Sequence, residues 1–148
     1  MSGLAKLPLI FLLALLSGCI TLMSPYDEKF DQQASDLQRK VSAHIEAIDG
    51  AGTPDCLYAS NKAFYDDARV DASALAVRAA SHDLNSETIR QVETLTDSIN
   101  TFEQLHMSAS NAPTPRCMGS MELSPIRRAF DQTLGAIIKL EVAKKRGK

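Results

Sequence analysis

From Tyr26 onward the apolar residues recur at helical intervals. Tyr26, Phe30, Ala34, Leu37, Val41, Ile45 and Ile48 follow one another at steps of four, four, three, four, four and three. That spacing draws one stripe along a helix of about six turns. Asp49-Gly50 ends the pattern, and Thr53-Pro54 then offers an N-cap residue followed by proline, the order that opens a helix. A second helix is predicted there, with Leu57, Phe64, Ala68, Ala72, Leu75 and Ala79 on a narrow, alanine-rich face. The pattern breaks around Ser81 to Ser86. Asn85 is placed to cap a third helix, with Leu84 and Ile89 as a hydrophobic staple across the cap. Ile89, Val92, Leu95, Ile99 and Phe102 carry its apolar side. The stretch SASNAPTPRCMGS, Ser108 to Ser120, is the one long connection of low helix propensity. Ser124-Pro125 restarts a helix by the same cap-then-proline logic, and Ile126, Phe130, Leu134, Ile137 and Leu140 supply the last stripe. No alternating β-branched run argues for a strand. The expectation is an all-α protein, an up-down-up-down four-helix bundle over residues 26–148.

The residues before this pattern read differently. One basic residue, Lys6, precedes an apolar run from Leu7 to Leu16 and the small pair Ser17-Gly18, the order of a secretory signal peptide. An apolar core of about ten residues is short of the roughly 20 that a membrane-crossing helix needs. Leu16-Ser17-Gly18-Cys19 resembles the lipobox of bacterial lipoproteins. The resemblance implies cleavage before Cys19, a diacylglyceryl thioether on its sulfur and an acylated amino group. Residues 1–18 are then the signal peptide and 19–25 a lipidated linker. Ile20 stands where the family's inner-membrane retention signal in enteric bacteria is usually Asp, so the resemblance favours the outer membrane, facing the periplasm. The body of the chain, through CLYASNKAFYDDARVDASALAVRAA (Cys56 to Ala80) and IIKLEVAKKRGK (Ile137 to Lys148), looks like uncharacterised small lipoproteins of Gram-negative bacteria. In architecture alone it is similar to secretin pilotins, small helical lipoproteins with one disulfide.

With Cys19 taken by lipid, Cys56 and Cys117 remain, an even number for an oxidising compartment. A disulfide between them would close a loop worth at most roughly 4 kcal/mol by chain entropy. Two free thiols are the alternative, and a metal site would need more ligands at closer spacing. Cys56 lies where helix two opens and Cys117 just before helix four, so in the expected topology both fall at one end of the bundle. The start of helix one and the basic run Lys144, Lys145, Arg146 and Lys148 fall at the other, with Cys19. There the cations would lie over anionic headgroups, each worth up to about 1 kcal/mol. The dipole of a helix C-terminus favours the same residues.

Charge and composition narrow the function. The whole chain carries a net charge of −2, and removing residues 1–18 takes one lysine and no acid. With no polybasic run in the body of the domain and no tryptophan, nucleic-acid binding has no electrostatic footprint. Glu103 and His106 form a single Glu-x-x-His, where di-iron bundles need two. With His44, these are expected at the polar rim rather than at a metal. Asp66, Asp67 and Asp71 read as a solvated face. No serine lies in a nucleophile elbow or phosphate loop, so no enzyme and no cofactor beyond the lipid is expected. Tyr58, Lys62, Tyr65 and Arg69, spaced i, i+4, i+7 and i+11, form a stripe rich in residue types favoured at interfaces. The same side chains could equally cover the core margin with their polar ends wet. The expectation is a non-catalytic, lipid-anchored interaction protein with an envelope partner. The alternative is a carrier of a small ligand or metal in the bundle core, with His44, Glu103 and His106 lining a cavity.

Overall fold

A computed structural model describes residues 23–147; the expected signal peptide, Cys19 and Lys148 lie outside the described residues. Four helices follow in order: α1 Glu28–Gly50, α2 Tyr58–Ala80, α3 Ser86–Ser110 and α4 Ser120–Arg146. Among the described residues there is no strand. Each helix packs on two neighbours, α1 on α2 and α4, α3 on α2 and α4, so the bundle is four-sided with an up-down-up-down course. Its core is one continuous cluster. Phe30, Leu37 and Ile45 of α1 meet Leu75 of α2, Leu95, Ile99 and Phe102 of α3, and Phe130, Leu134 and Ile137 of α4. The alanine face of α2 is buried as expected through Ala68, Ala72 and Ala79.

Cys56 and Cys117 form the disulfide, with Cα atoms 5.4 Å apart, inside the range a relaxed bridge spans. The order of the helices and the pairing of the cysteines therefore agree: both cysteines sit at the end where α1 and α3 finish.

The boundaries differ from the sequence reading at the starts of α2 and α4, and the start of α3 falls where expected but is held differently. Helix α2 begins at Tyr58, not at Thr53-Pro54. Residues 53–56 instead form a turn, closed by Cys56 N–H to the Gly52 carbonyl and Leu57 N–H to that of Pro54, each at 3.0 Å. This turn delivers Cys56 to Cys117. The first amide of α2, left without a local cap, donates to Ser110 Oγ at the end of α3, 2.8 Å away. Asn85 does stand at the N-cap of α3, but its side chain makes no cap bond. Leu84, expected to staple to Ile89, has a φ of 58° and is 64% exposed, so most of this left-handed residue's side chain faces water. Helix α4 starts at Ser120, four residues before Ser124, and contains Pro125. Its start is held by Glu122, whose carboxylate accepts the Gly119 N–H at 3.0 Å and the Arg116 guanidinium at 2.7 and 2.8 Å. Pro125 is exposed there and Met121, whose carbonyl it leaves free, is 92% exposed, so water can satisfy that group. The connection between α3 and α4 is accordingly shorter than Ser108 to Ser120, spanning 111–119.

Candidate functional site

The buried stripe of α4 does not turn from Ile137 to Leu140, which is only half-buried. At steps of four and three it continues through Glu141 and Lys144, both buried, with Lys144 8% exposed. Lys144 Nζ donates to Glu141 Oε1 at 2.5 Å, to Asn85 Oδ1 at 2.7 Å and to Thr88 Oγ1 at 3.0 Å. Three donors thus meet three acceptors, the condition under which a buried ammonium is tolerated. Asn85 also accepts from Ser24 Oγ at 2.9 Å and donates its amide to the Ala79 carbonyl at 2.7 Å. These bonds replace the cap bond expected of it.

The chain before α1 is drawn into the same network. Asp27 N–H donates to Glu141 Oε2 at 3.2 Å. Its carboxylate caps α1 by accepting the Lys29 and Phe30 amides, and receives two bonds from the Arg78 guanidinium and one from His82 Nε2. Burial alone would raise this carboxyl's pKa, yet Arg78, the Phe30 amide and His82 outweigh it and lower the pKa to about 2. Tyr26, placed by its spacing in the first stripe, instead precedes α1. Its hydroxyl donates to Asp31 at 3.0 Å, and Lys145 Nζ lies 5.1 Å from its ring centroid. So of the basic run expected at a membrane surface, Lys145 and Arg146 are exposed while Lys144 is interior. Lys148 is not among the described residues.

At the other end the expected surface stripe faces α3. Tyr65 is 0% exposed and belongs to the core, so it cannot meet a partner. Its hydroxyl lies 2.7 Å from His106 Nδ1, and His106 Nε2 lies 2.8 Å from the Cys56 carbonyl. Since a carbonyl only accepts, Nε2 carries the proton and Tyr65 donates to Nδ1. Tyr58 donates to Glu103 at 2.7 Å, Arg69 pairs with Glu103 and Asp66, and Lys62 pairs with Asp66. Asp66 and Asp67 are solvated as expected, while Asp71 pairs with Lys40 across to α1.

The histidines are not rim residues. His106 is fully buried and His44 largely so, stacked on Phe64 at 3.6 Å between centroids, with its Nε2 buried and lacking a hydrogen bond. Burial, and then the neighbouring His106, lower the His44 pKa to about 4; burial lowers that of His106 against the opposing bond to Cys56. Both rings are therefore neutral at pH 7. Glu103 and His106 have their polar atoms engaged by Tyr58, Arg69, Tyr65 and Cys56 rather than directed at a shared ligand. Among the described residues no group of three or more His, Cys, Asp or Glu is placed to hold a metal.

A third feature had no counterpart in the sequence reading. Between α3 and α4 lies an open groove of about 480 Å³ floored by Phe102, Met118, Ile126 and Phe130. Thr94, Asp97, Ser98, Thr101 and Leu105 form its α3 wall, and Pro125 and Ala129 belong to the α4 wall. The small residues Ser98, Thr101 and Ala129 at facing positions are the signal that could have suggested it.

In comparison with known proteins, no family model, no curated protein and no solved structure matches the chain.

Proposed function

We propose that this chain is a non-catalytic interaction protein, held to the periplasmic face of a bacterial outer membrane by lipid on Cys19 and presenting its helical bundle to an envelope partner. The observation that carries the reading is the attachment of Ser24 and Asp27 to a buried polar network. Only a few residues separate that network from Cys19, so an anchor there would act on a rigid bundle rather than on a loose leash. Five residues span at most about 18 Å. The small-Gly-Cys sequence after a short apolar run supports the anchor. No described helix is long and apolar enough to cross a membrane. Lys145 and Arg146, exposed at the same end, would face anionic headgroups.

The reading of the chain as a partner-binding module rather than an enzyme is supported by the use of its buried polar groups. Glu141, Lys144, Tyr65 and His106 bond to one another or to backbone and hold segments together. The test is growth with radiolabelled palmitate. The wild-type protein is expected to take up label and to sediment with membranes, and Cys19→Ala to do neither. Undiminished labelling of Cys19→Ala would remove the anchor from the account.

A further inference from the structure

The groove between α3 and α4 has features that specify an occupant. Its aromatic and aliphatic floor is already buried, and the apolar surface it leaves to solvent lies on the walls, with Leu105 46% exposed on one and Pro125 and Ala129 exposed on the other. From Thr94 to Leu105 the α3 wall runs eleven residues, about 17 Å or three helical turns. Its charge is of one sign. Asp97 and Glu122 line the groove, and no lysine or arginine does. Glu122 is neutralised by Arg116, whereas Asp97, and Glu93 one turn before it, have no ion pair among the described residues.

We propose that this groove binds an amphipathic helix of a partner protein, about three turns long, whose apolar stripe packs against Leu105, Pro125 and Ala129 and whose flanking lysine or arginine meets Asp97. The length of the walls fits a helix laid between two helices, a recurrent mode of recognition. A neighbouring cation complements the unpaired carboxylate. An acyl chain ending in a carboxylate would suit the floor but bring a second negative charge to Asp97. The half-exposed Leu105 provides apolar contact at the rim. This inference rests on the reading of the chain as an interaction protein, but not on its lipid.

The test is a titration of the full-length protein, kept in solution with a mild detergent, with two fluorescent 18-residue helical peptides. They share one leucine stripe, with lysines on the polar face in one and glutamates in the other; detergent without protein is the blank. The lysine peptide is expected to bind saturably above the blank and at least tenfold more tightly than the glutamate peptide. Ala129→Trp, which fills the groove from an exposed helical position, should weaken it at least tenfold. Asp97→Asn should weaken the lysine peptide severalfold and leave the glutamate peptide unchanged or tighter. Far-UV circular dichroism checks that both variants are folded, and Asp97→Asn keeps the test alive if Ala129→Trp is not. Equal affinity for the two peptides, no binding above the blank, or indifference to both substitutions would overturn the proposal. So would saturable binding of a fluorescent fatty acid that Ala129→Trp abolishes, which would assign the groove to acyl chains. A dimer that the same substitution dissolves would assign it to a second copy. Failure of palmitate to label Cys19 would leave this result untouched, and failure of the peptides would leave the anchor untouched.

Discussion

At the disulfide end, Cys56 and Cys117 join the start of α2 to the approach to α4, and His106 bonds to the Cys56 carbonyl beside them. At the polar end no covalent link joins the described residues; Asp27, Arg78, Asn85, Glu141 and Lys144 hold the same four helices by charge and hydrogen bonds. The two ends thus respond to different insults. A reductant attacks the first and leaves the second intact. Loss of one charge breaks the second, because a buried ion without its partner costs far more than the pair contributes. Were the N-terminal segment anchored as proposed, the unreducible fastening would lie next to the anchor.

The largest effect should come from that network. Lys144→Ala leaves the Glu141 carboxylate buried without its cation and is expected to cost about 3–5 kcal/mol in urea unfolding. Replacing both, Glu141→Leu with Lys144→Met, should recover most of the loss. If the double variant is as unstable as the single one, the pair is not the source of the effect. Next, replacing Cys56 and Cys117 together by Ala should cost about 3 kcal/mol. Combined with Lys144→Ala the costs should add, since the sites lie at opposite ends of the bundle; strong non-additivity would show that the ends are not independent fastenings.

Acidification should separate the ends more gently. His44 is neutral in the fold with a pKa of about 4, whereas in the unfolded chain it protonates near its ordinary value of about 6.5. As pH falls from 6.5 toward 4 the unfolded state binds the proton and the folded state does not, so stability declines over that window and levels off below it. About 2 kcal/mol is expected, allowing for the partial exposure of the ring. Asp27 acts in a lower window. Its pKa of about 2 makes its contribution fully present above pH 4 and lost only as pH approaches 2. His44→Phe should therefore reduce the decline between pH 6.5 and 4, leaving the share that the buried His106 contributes, without altering the one below it. Unfolding midpoints measured from pH 7 to pH 2.5 would show this, and an unchanged profile would refute the assignment to His44.

What was legible in the sequence follows from the strength of each local signal. Three long stripes at helical spacing dictated α1, α3 and α4, and the cysteine pair agreed with the topology because both depend on the same short connections. Helix starts were less legible. Thr53-Pro54 and Ser124-Pro125 carry cap-and-proline chemistry, but the demands of the disulfide turn and the bonds from Glu122 and Ser110 decided the boundaries, and these lie far away in sequence. On α2, Phe64 and Tyr65 both suit a step to Ala68, and only packing against His106 selects Tyr65 for the interior. Lys144 was read as part of a basic tail because charge outweighed register. Counting on from Leu134 and Ile137 would have placed Glu141 and Lys144 on the buried face. The bonds of Lys144 and of Ser24 to Asn85, across 59 and 61 residues of chain, leave no trace in local pattern.

The orientation of the two ends relative to a membrane can be measured directly. A photoreactive amino acid placed at Lys145, exposed at the polar end, or at Thr114, exposed in the connection beside Cys117, reports its neighbours in intact cells. The account predicts lipid adducts from position 145 and none from position 114, about 30 Å farther from the anchored end in an upright bundle. Lipid adducts from position 114 with none from position 145 would contradict it.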